Sequence, residues 1–434
     1  MANSANLAGL AAIPIGILSL YALFLALILH PTFQAHNVFL HGINIPFHYD
    51  LTKPDRIKGI QKGKARNFNV ESVDGIRIAG WHIVPDHAKI PQDEHTFDQS
   101  LCDSPVVLYF HGNAMNRAAP VRIQAYKHFT ALGMNVVAID YRGFGDSQGK
   151  PTEEGLLRDA RATYRWVIER QSSCTPSPSS EPLAGQILLS GQSLGTGVAS
   201  RLTLDLVEAG HASPATLLLA PYISIRQLLS SYRIGGIVPL FWPLGISKAL
   251  SAVADKYLYT RFESDKALYI ATRGGINKLN EEEKKAYGDL QYLLPKDQLK
   301  KELGIQDAQE TDQQARVVIA HADNDSIIPH SHGRGLFDRI HDALSVDFNE
   351  HSTESQKHAE EREEELAQQI QIEEQEWGSM LTVSPKIGQA NRLTLIKSRK
   401  GGHNGVPIHA LEYFIKLATQ SEPAKAAGTG GMQT

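Results

Sequence analysis

Short runs that are apolar at every position alternate with helical stretches through the middle of this chain, and that alternation limits the architectures open to it. Runs at 106–110, 135–140, 187–191 and 215–220 are separated by helix-like stretches at 119–132, 153–170 and 194–208. A strand that can be apolar on both faces must be covered on both, which implies an α/β fold with a mostly parallel sheet between layers of helices. Upstream, 68–73 and 76–84 flank Asp74-Gly75, a hairpin signal, so an antiparallel pair opens the domain. A chain of 434 residues can bury one large core, and one domain over 66–420 with insertions is the simplest reading.

Outside that domain, residues 7–29 form an apolar stretch broken only by Gly9, Pro14, Gly16 and Ser19, and no charged residue precedes Asp50. About 20 apolar residues at helical rise cross a bilayer. The missing basic leader argues for a retained transmembrane anchor over a cleaved signal peptide. Residues 30–65 then read as a juxtamembrane linker, in which 36–49 suit either the membrane interface or packing on the domain. The basic cluster from Lys53 to Arg66 starts too far from the span to orient it. A net charge of −4 lacks the footprint of a nucleic-acid binder. Cys102 and Cys174 make no disulfide framework, and their spacing neither argues for a bridge nor excludes one.

Two insertions are expected. Residues 222–314 separate two clear strands and should carry their own structure, either as an apolar cap over a site or as helices packed on the core. Residues 350–377 hold the second; ten acidic and two basic residues between 350 and 376 predict a solvated helix or disordered segment. After them come a last strand at 392–398 and a last helix at 407–419, with a disordered tail over 421–434.

The chemistry enters at Gly191-Gln192-Ser193-Leu194-Gly195, which directly joins an apolar run to a helical stretch. A serine on such a sharp strand-to-helix turn is a nucleophile elbow. The same Gly-x-Ser-x-Gly pattern occurs in Gly145-Asp146-Ser147-Gln148-Gly149, but Lys150-Pro151 follows and cannot carry a helix straight on. Ser193 is therefore the expected nucleophile and Ser147 a turn serine.

Serine needs a base and an oriented carboxylate. His321-Ala322-Asp323-Asn324-Asp325 follows the apolar run 317–320, and Asp325 is the expected acid, with Asp323 capping the loop. Asn324-Asp325-Ser326 is the chain's sole glycosylation sequon, discounted at such a turn. Of eighteen histidines, His403 alone follows the last strand, beyond Gly401-Gly402 and before the last helix. It is the expected base, with His330 and His332 left as loop residues. The amide of Leu194 and that of Asn113, or alternatively Ala114, should form the oxyanion hole, and His111 should brace that loop. No metal or organic cofactor is implied.

His111-Gly112-Asn113-Ala114, the run Asp140-Tyr141-Arg142-Gly143-Phe144-Gly145-Asp146-Ser147, Gly191-Gln192-Ser193-Leu194-Gly195-Thr196-Gly197 and His321-Ala322-Asp323-Asn324-Asp325 together resemble the membrane-anchored α/β-hydrolase-domain lipases. That group cleaves lysophosphatidylserine and monoacylglycerol at the endoplasmic reticulum, and the resemblance runs over residues 7–419. It implies an α/β-hydrolase fold, a triad of Ser193, Asp325 and His403, a structural turn at 141–147, and a single-pass enzyme of the endoplasmic reticulum membrane whose partners are a single-chain lipid substrate and the bilayer. Sequence at 271–312 and 350–376 is additional to the family pattern. The same triad could serve an acyl-protein thioesterase or an aminopeptidase-like amidase, and a noncatalytic scaffold is the rival outside enzymes.

Overall fold

The computed structural model describes residues 16, 18–21, 23–24, 27, 30–174, 183–231, 233–234, 238–239, 252, 255–305, 314–346, 370–383, 392–405 and 407–419. Its strands are β1 (Ala65–Glu71), β2 (Arg77–Ile83), β3 (Val106–Phe110), β4 (Asn135–Ile139), β5 (Ile187–Gln192), β6 (Thr216–Leu219), β7 (Arg233–Ile234), β8 (Val238–Pro239), β9 (Val317–Ala322), β10 (Ile370–Gln375), β11 (Gly378–Val383) and β12 (Leu393–Ser398). All but the β7–β8 ribbon join one ten-stranded sheet in the order β1-β2-β4-β3-β5-β6-β9-β12-β11-β10. The six strands from β4 to β12 run parallel, and antiparallel pairs close both edges.

Each parallel strand serves two cores, which is why its sequence shows no alternation. In β3, Val106, Leu108 and Phe110 face a core shared with the helices Glu153–Gln171, Leu194–Glu208, Ser264–Arg273 and Ser331–Val346. Val107 and Tyr109 face the other, covered by Pro120–Ala131 and Ile408–Thr419. A mostly parallel sheet with helices on both faces is the architecture expected from the sequence. One buried ion is paired twice: Arg161 bonds Asp205 at 2.8 Å and Glu302 at 3.1 Å. Removing one partner of such a pair costs about 3–5 kcal/mol.

Several elements depart from the sequence expectation. The polar stretch before β3 contains a helix, Glu94–Asp103, started by a capping box in which Asp93 accepts from the Thr96 amide and Thr96 accepts from the Asp93 amide. Within the expected cap at 222–314, Ser264–Arg273 is buried at every position but Lys266, and Leu299 and Leu303 point into the main core, so this part packs against the core. Residues 240–251, in the apolar part of that insertion, lie outside the described residues. The acidic insertion ends earlier than 377, because Ile370–Gln375 pairs with β11 through a turn at Glu376-Trp377. Its backbone hydrogen bonds outweigh the helical composition. The tail over 421–434 falls outside the described residues.

Cys102 and Cys174 form a disulfide that ties the end of Glu94–Asp103 to the chain just after Glu153–Gln171. Of the apolar stretch at 7–29 only Gly16, Leu18–Tyr21, Leu23, Phe24 and Leu27 are described, all helical; among the described residues no helix is long and apolar enough to cross a membrane. The linker packs on the domain. Pro31–Phe39 is helical, Phe39 is buried, and Gln34 bonds the backbone of Tyr257 and Tyr259.

Candidate active site

β5 ends at Gln192 and the helix Leu194–Glu208 begins two residues later, leaving Ser193 alone on the turn at φ 52°, ψ −120°. A side chain rarely adopts such a conformation, and it persists only where its surroundings hold it. Here the surroundings are tight. A Cβ on Gly191 would lie 2.3 Å from the Gly195 carbonyl oxygen, and one on Gly195 would lie 2.0 Å from that of Phe110. Only glycine fits at either end, because strand, helix and neighbouring β3 approach closer than one added carbon allows.

His403 Nε2 lies 2.9 Å from Ser193 Oγ, and His403 Nδ1 lies 2.9 Å from Asp325 Oδ2. A carboxylate only accepts, so Nδ1 carries the proton and Nε2 is free to accept one from the serine. The three side chains thus meet at the carboxyl ends of β5, β9 and β12, brought together from residues 193, 325 and 403. Burial alone would push the Asp325 carboxyl up, but hydrogen bonds from His321 and His403 outweigh it and hold the group well below the usual carboxylate range. Its other oxygen accepts from the amides of Ile327 at 2.8 Å and Ile328 at 2.9 Å. The group stays ionised.

The loop after β3 passes directly over this turn: a Cβ on Gly112 would stand 3.2 Å from Ser193 Cβ. Among the described residues the amides of Leu194 and Asn113 have no intramolecular acceptor. The amide of Ala114, the alternative donor, is instead bonded to the Phe39 carbonyl at 2.9 Å. His111 is buried, donates to or accepts from nothing in the triad, and pairs Nδ1 with the Gly112 carbonyl at 2.7 Å. Burial lowers its pKa to about 4.

Ser147 is engaged elsewhere. Its hydroxyl donates to the Asp140 carbonyl at 2.6 Å and accepts from the Ala79 amide at 2.9 Å, joining the end of β4 to β2. Asp323 is exposed and paired with Lys397 at 3.2 Å. His330 is exposed, whereas His332 is buried and bonded to Ser231 at 2.8 Å.

Several contributors carried no sequence signal of their own. Gln192 donates to Asn404 Oδ1 at 3.1 Å, and Asn324 accepts from the Gly402 amide at 2.8 Å, so both neighbours of triad residues hold the loop of His403. His321 places Nε2 2.9 Å from the Ile328 carbonyl and 3.3 Å from Asp325. Arg122 is buried with Nη2 against the carbonyls of Gly112, Asn113 and Ala114 at 3.0, 3.4 and 2.6 Å. Gln192 and His321 stood inside the motifs with no role of their own read from them, and nothing marked Arg122 apart from other helix arginines.

Comparison with known proteins places this geometry in context. The family model described as serine aminopeptidase, S33, matches residues 103–351. Lysophosphatidylserine lipase ABHD12 of Danio rerio is 36% identical over 206 residues, covering 46% of this chain and 50% of its own. Protein ABHD12B of Homo sapiens is 36% identical over 207 residues, covering 45% and 53%. The chain thus spans about half the length of the curated relatives it matches. An α/β hydrolase from Vibrio vulnificus superposes with a TM-score of 0.47 at 14% identity, covering 90% of this chain and 94% of that one.

Proposed function

The chain belongs to the serine aminopeptidase S33 family of hydrolases, and from that premise we propose that it is a membrane-anchored serine hydrolase cleaving the acyl ester of a lysophospholipid or monoacylglycerol. The observation that carries this reading is the unbroken contact from Ser193 through His403 to Asp325. In it, Ser193 Oγ attacks the ester carbonyl while its proton passes to His403 Nε2, and Asp325 stabilises the imidazolium. The amides of Leu194 and Asn113 hold the oxyanion, a contribution worth on the order of 10² to 10³ in turnover for each donor. His403 then protonates the leaving alcohol, and water, activated by the same imidazole, releases the fatty acid from Ser193.

The lipid substrate is supported by the relatives named lysophosphatidylserine lipase. The apolar stretch at 7–29 supports an anchor, and the exposed Phe33, Ile43, Ile45 and Phe47 beyond it suit a segment lying against lipid. The Cys102–Cys174 disulfide favours an oxidising compartment, in keeping with a catalytic part in the lumen of the endoplasmic reticulum.

Membranes carrying the full chain should bind a fluorophosphonate probe and release fatty acid from lysophospholipids or monoacylglycerol, with both signals lost in Ser193→Ala. Faster turnover of acyl thioesters or peptides than of every lipid ester would replace the lipase reading. Extraction of the protein by alkaline carbonate would reject the anchor.

A further inference from the structure

The loop from Gly112 to Asn116 is held from two opposite sides, and the sides divide its polar groups between them. Arg122 gathers the carbonyls of Gly112, Asn113 and Ala114. Facing it, the chain leaving the helix Pro31–Phe39 offers its own carbonyls: Ala114 donates to Phe39 at 2.9 Å, Met115 to Ile43 at 2.6 Å, and Asn116 to Ile45 at 3.1 Å. Across a planar trans peptide the N–H points opposite to the C=O. Holding the Gly112 carbonyl on Arg122 therefore turns the Asn113 N–H away from Arg122, and it is the one amide from 113 to 116 that the 39–45 segment does not take up.

Ala114 and Met115 both sit at φ 56°, which disfavours residues bearing a Cβ. The loop would relax if the bonds that impose this shape were withdrawn. One side chain secures them. Asn116, itself buried, donates Nδ2 to Asn44 Oδ1 at 2.8 Å and to the Pro46 carbonyl at 3.1 Å, while its Oδ1 accepts from the Ala118 amide at 3.0 Å. Phe39, fully buried, anchors the other end of the segment.

We propose that residues 39–46 are a positioning strap for the oxyanion donor, acting through the 112–116 loop and pinned by Asn116. The proposal rests on the reading of Ser193 as nucleophile. It makes the segment that leaves the apolar N-terminal stretch part of the catalytic apparatus, so that the aim of the Asn113 amide depends on the strap being seated.

The full chain carrying Asn116→Asp tests it. Aspartate keeps an oxygen for the Ala118 amide but replaces the donor to Asn44 and Pro46 with a second acceptor. On a soluble p-nitrophenyl ester, kcat should fall about 10- to 100-fold, below the loss of a whole donor, with KM within about twofold. A boronic acid, whose tetrahedral adduct places an oxygen in the same hole, should lose affinity in parallel with kcat/KM, and the amides of Met115 and Asn116 should exchange hydrogen faster. Asn44→Ala, at an exposed position, should move all three readouts the same way by a smaller factor and keeps the test open should Asn116→Asp not fold. Faster exchange at Met115 and Asn116 with kcat and boronate affinity unchanged overturns the strap. If Ser193→Ala itself retains turnover, the underlying catalytic reading fails instead.

Discussion

Two stretches of this chain share the pattern Gly-x-Ser-x-Gly, and the fold gives them different work. At Gly145–Gly149 the serine hydroxyl is spent on backbone partners, donating to Asp140 and accepting from Ala79. At Gly191–Gly195 the hydroxyl meets an imidazole, and its own backbone is locked by the strand and helix it joins. What separates them is the neighbour each hydroxyl finds. Ser147 closes a turn that Arg117 also holds through Asp140 and Asp146, whereas Ser193 stands where three strand ends open.

The sharpest way to break this contrast is to remove each hydroxyl. Ser193→Ala should abolish fluorophosphonate labelling and lower ester turnover by at least about 10⁴; Ser147→Ala should leave both within about twofold. Equal losses in the two variants would erase the distinction. Asp325→Asn comes next: the amide can present its N–H to His403 and fix the wrong tautomer, so kcat should drop by about 10⁴ while the protein stays folded. Circular dichroism and single-turnover release of p-nitrophenol would check it.

Ser147→Ala should register in stability, because it strands the buried Ala79 amide and the Asp140 carbonyl. The expected cost is about 1–3 kcal/mol, read from urea unfolding.

The smallest effect belongs to Glu153, which starts the helix following the Ser147 turn and accepts from the amides of Arg261 at 2.6 Å and Phe262 at 3.0 Å. Burial raises its pKa from 4.5 to about 7, against the pull of those two amides. A carboxyl raised on folding contributes stability that is fully present below 4.5 and lost as pH rises through about 7. The Tm of the wild type should therefore fall relative to Glu153→Gln by a few degrees between pH 5 and pH 8. A pH-independent gap would show that the acid is ionised throughout.

Much of this fold is legible in the sequence. All-apolar runs announce burial on both faces, and Val106 to Phe110 indeed divides between two cores. Ser193, Asp325 and His403 could be singled out as candidates because each sits where a strand gives way to a turn rich in small residues, and the fold brings the three side chains together. The helix Glu94–Asp103 was hidden by a polar composition in which only Phe97 and Leu101 are buried, too few to show a period. Glu373 and Glu374 disguised β10 as part of the acidic insertion, since an edge strand with exposed side chains needs no apolar pattern. Arg122 and Asn116 were invisible for another reason: Arg122 bonds the carbonyls of Gly112 to Ala114, and Asn116 bonds Asn44 and the Pro46 carbonyl some seventy residues away, encounters that composition cannot encode.

The crowding around Gly191 and Gly195 has a consequence for how motifs of this kind are read. A saturation library over 191–195, screened only for soluble, intact protein, should still return glycine at both ends, because the helix start and the end of neighbouring β3 leave no room for a methyl group. The other copy behaves alike, since a Cβ on Gly145 would strike Asp140 Oδ2 at 2.1 Å. The flanking positions are thus written by architecture and would persist in a dead enzyme; only the central residue, judged by the company it keeps, reports on chemistry.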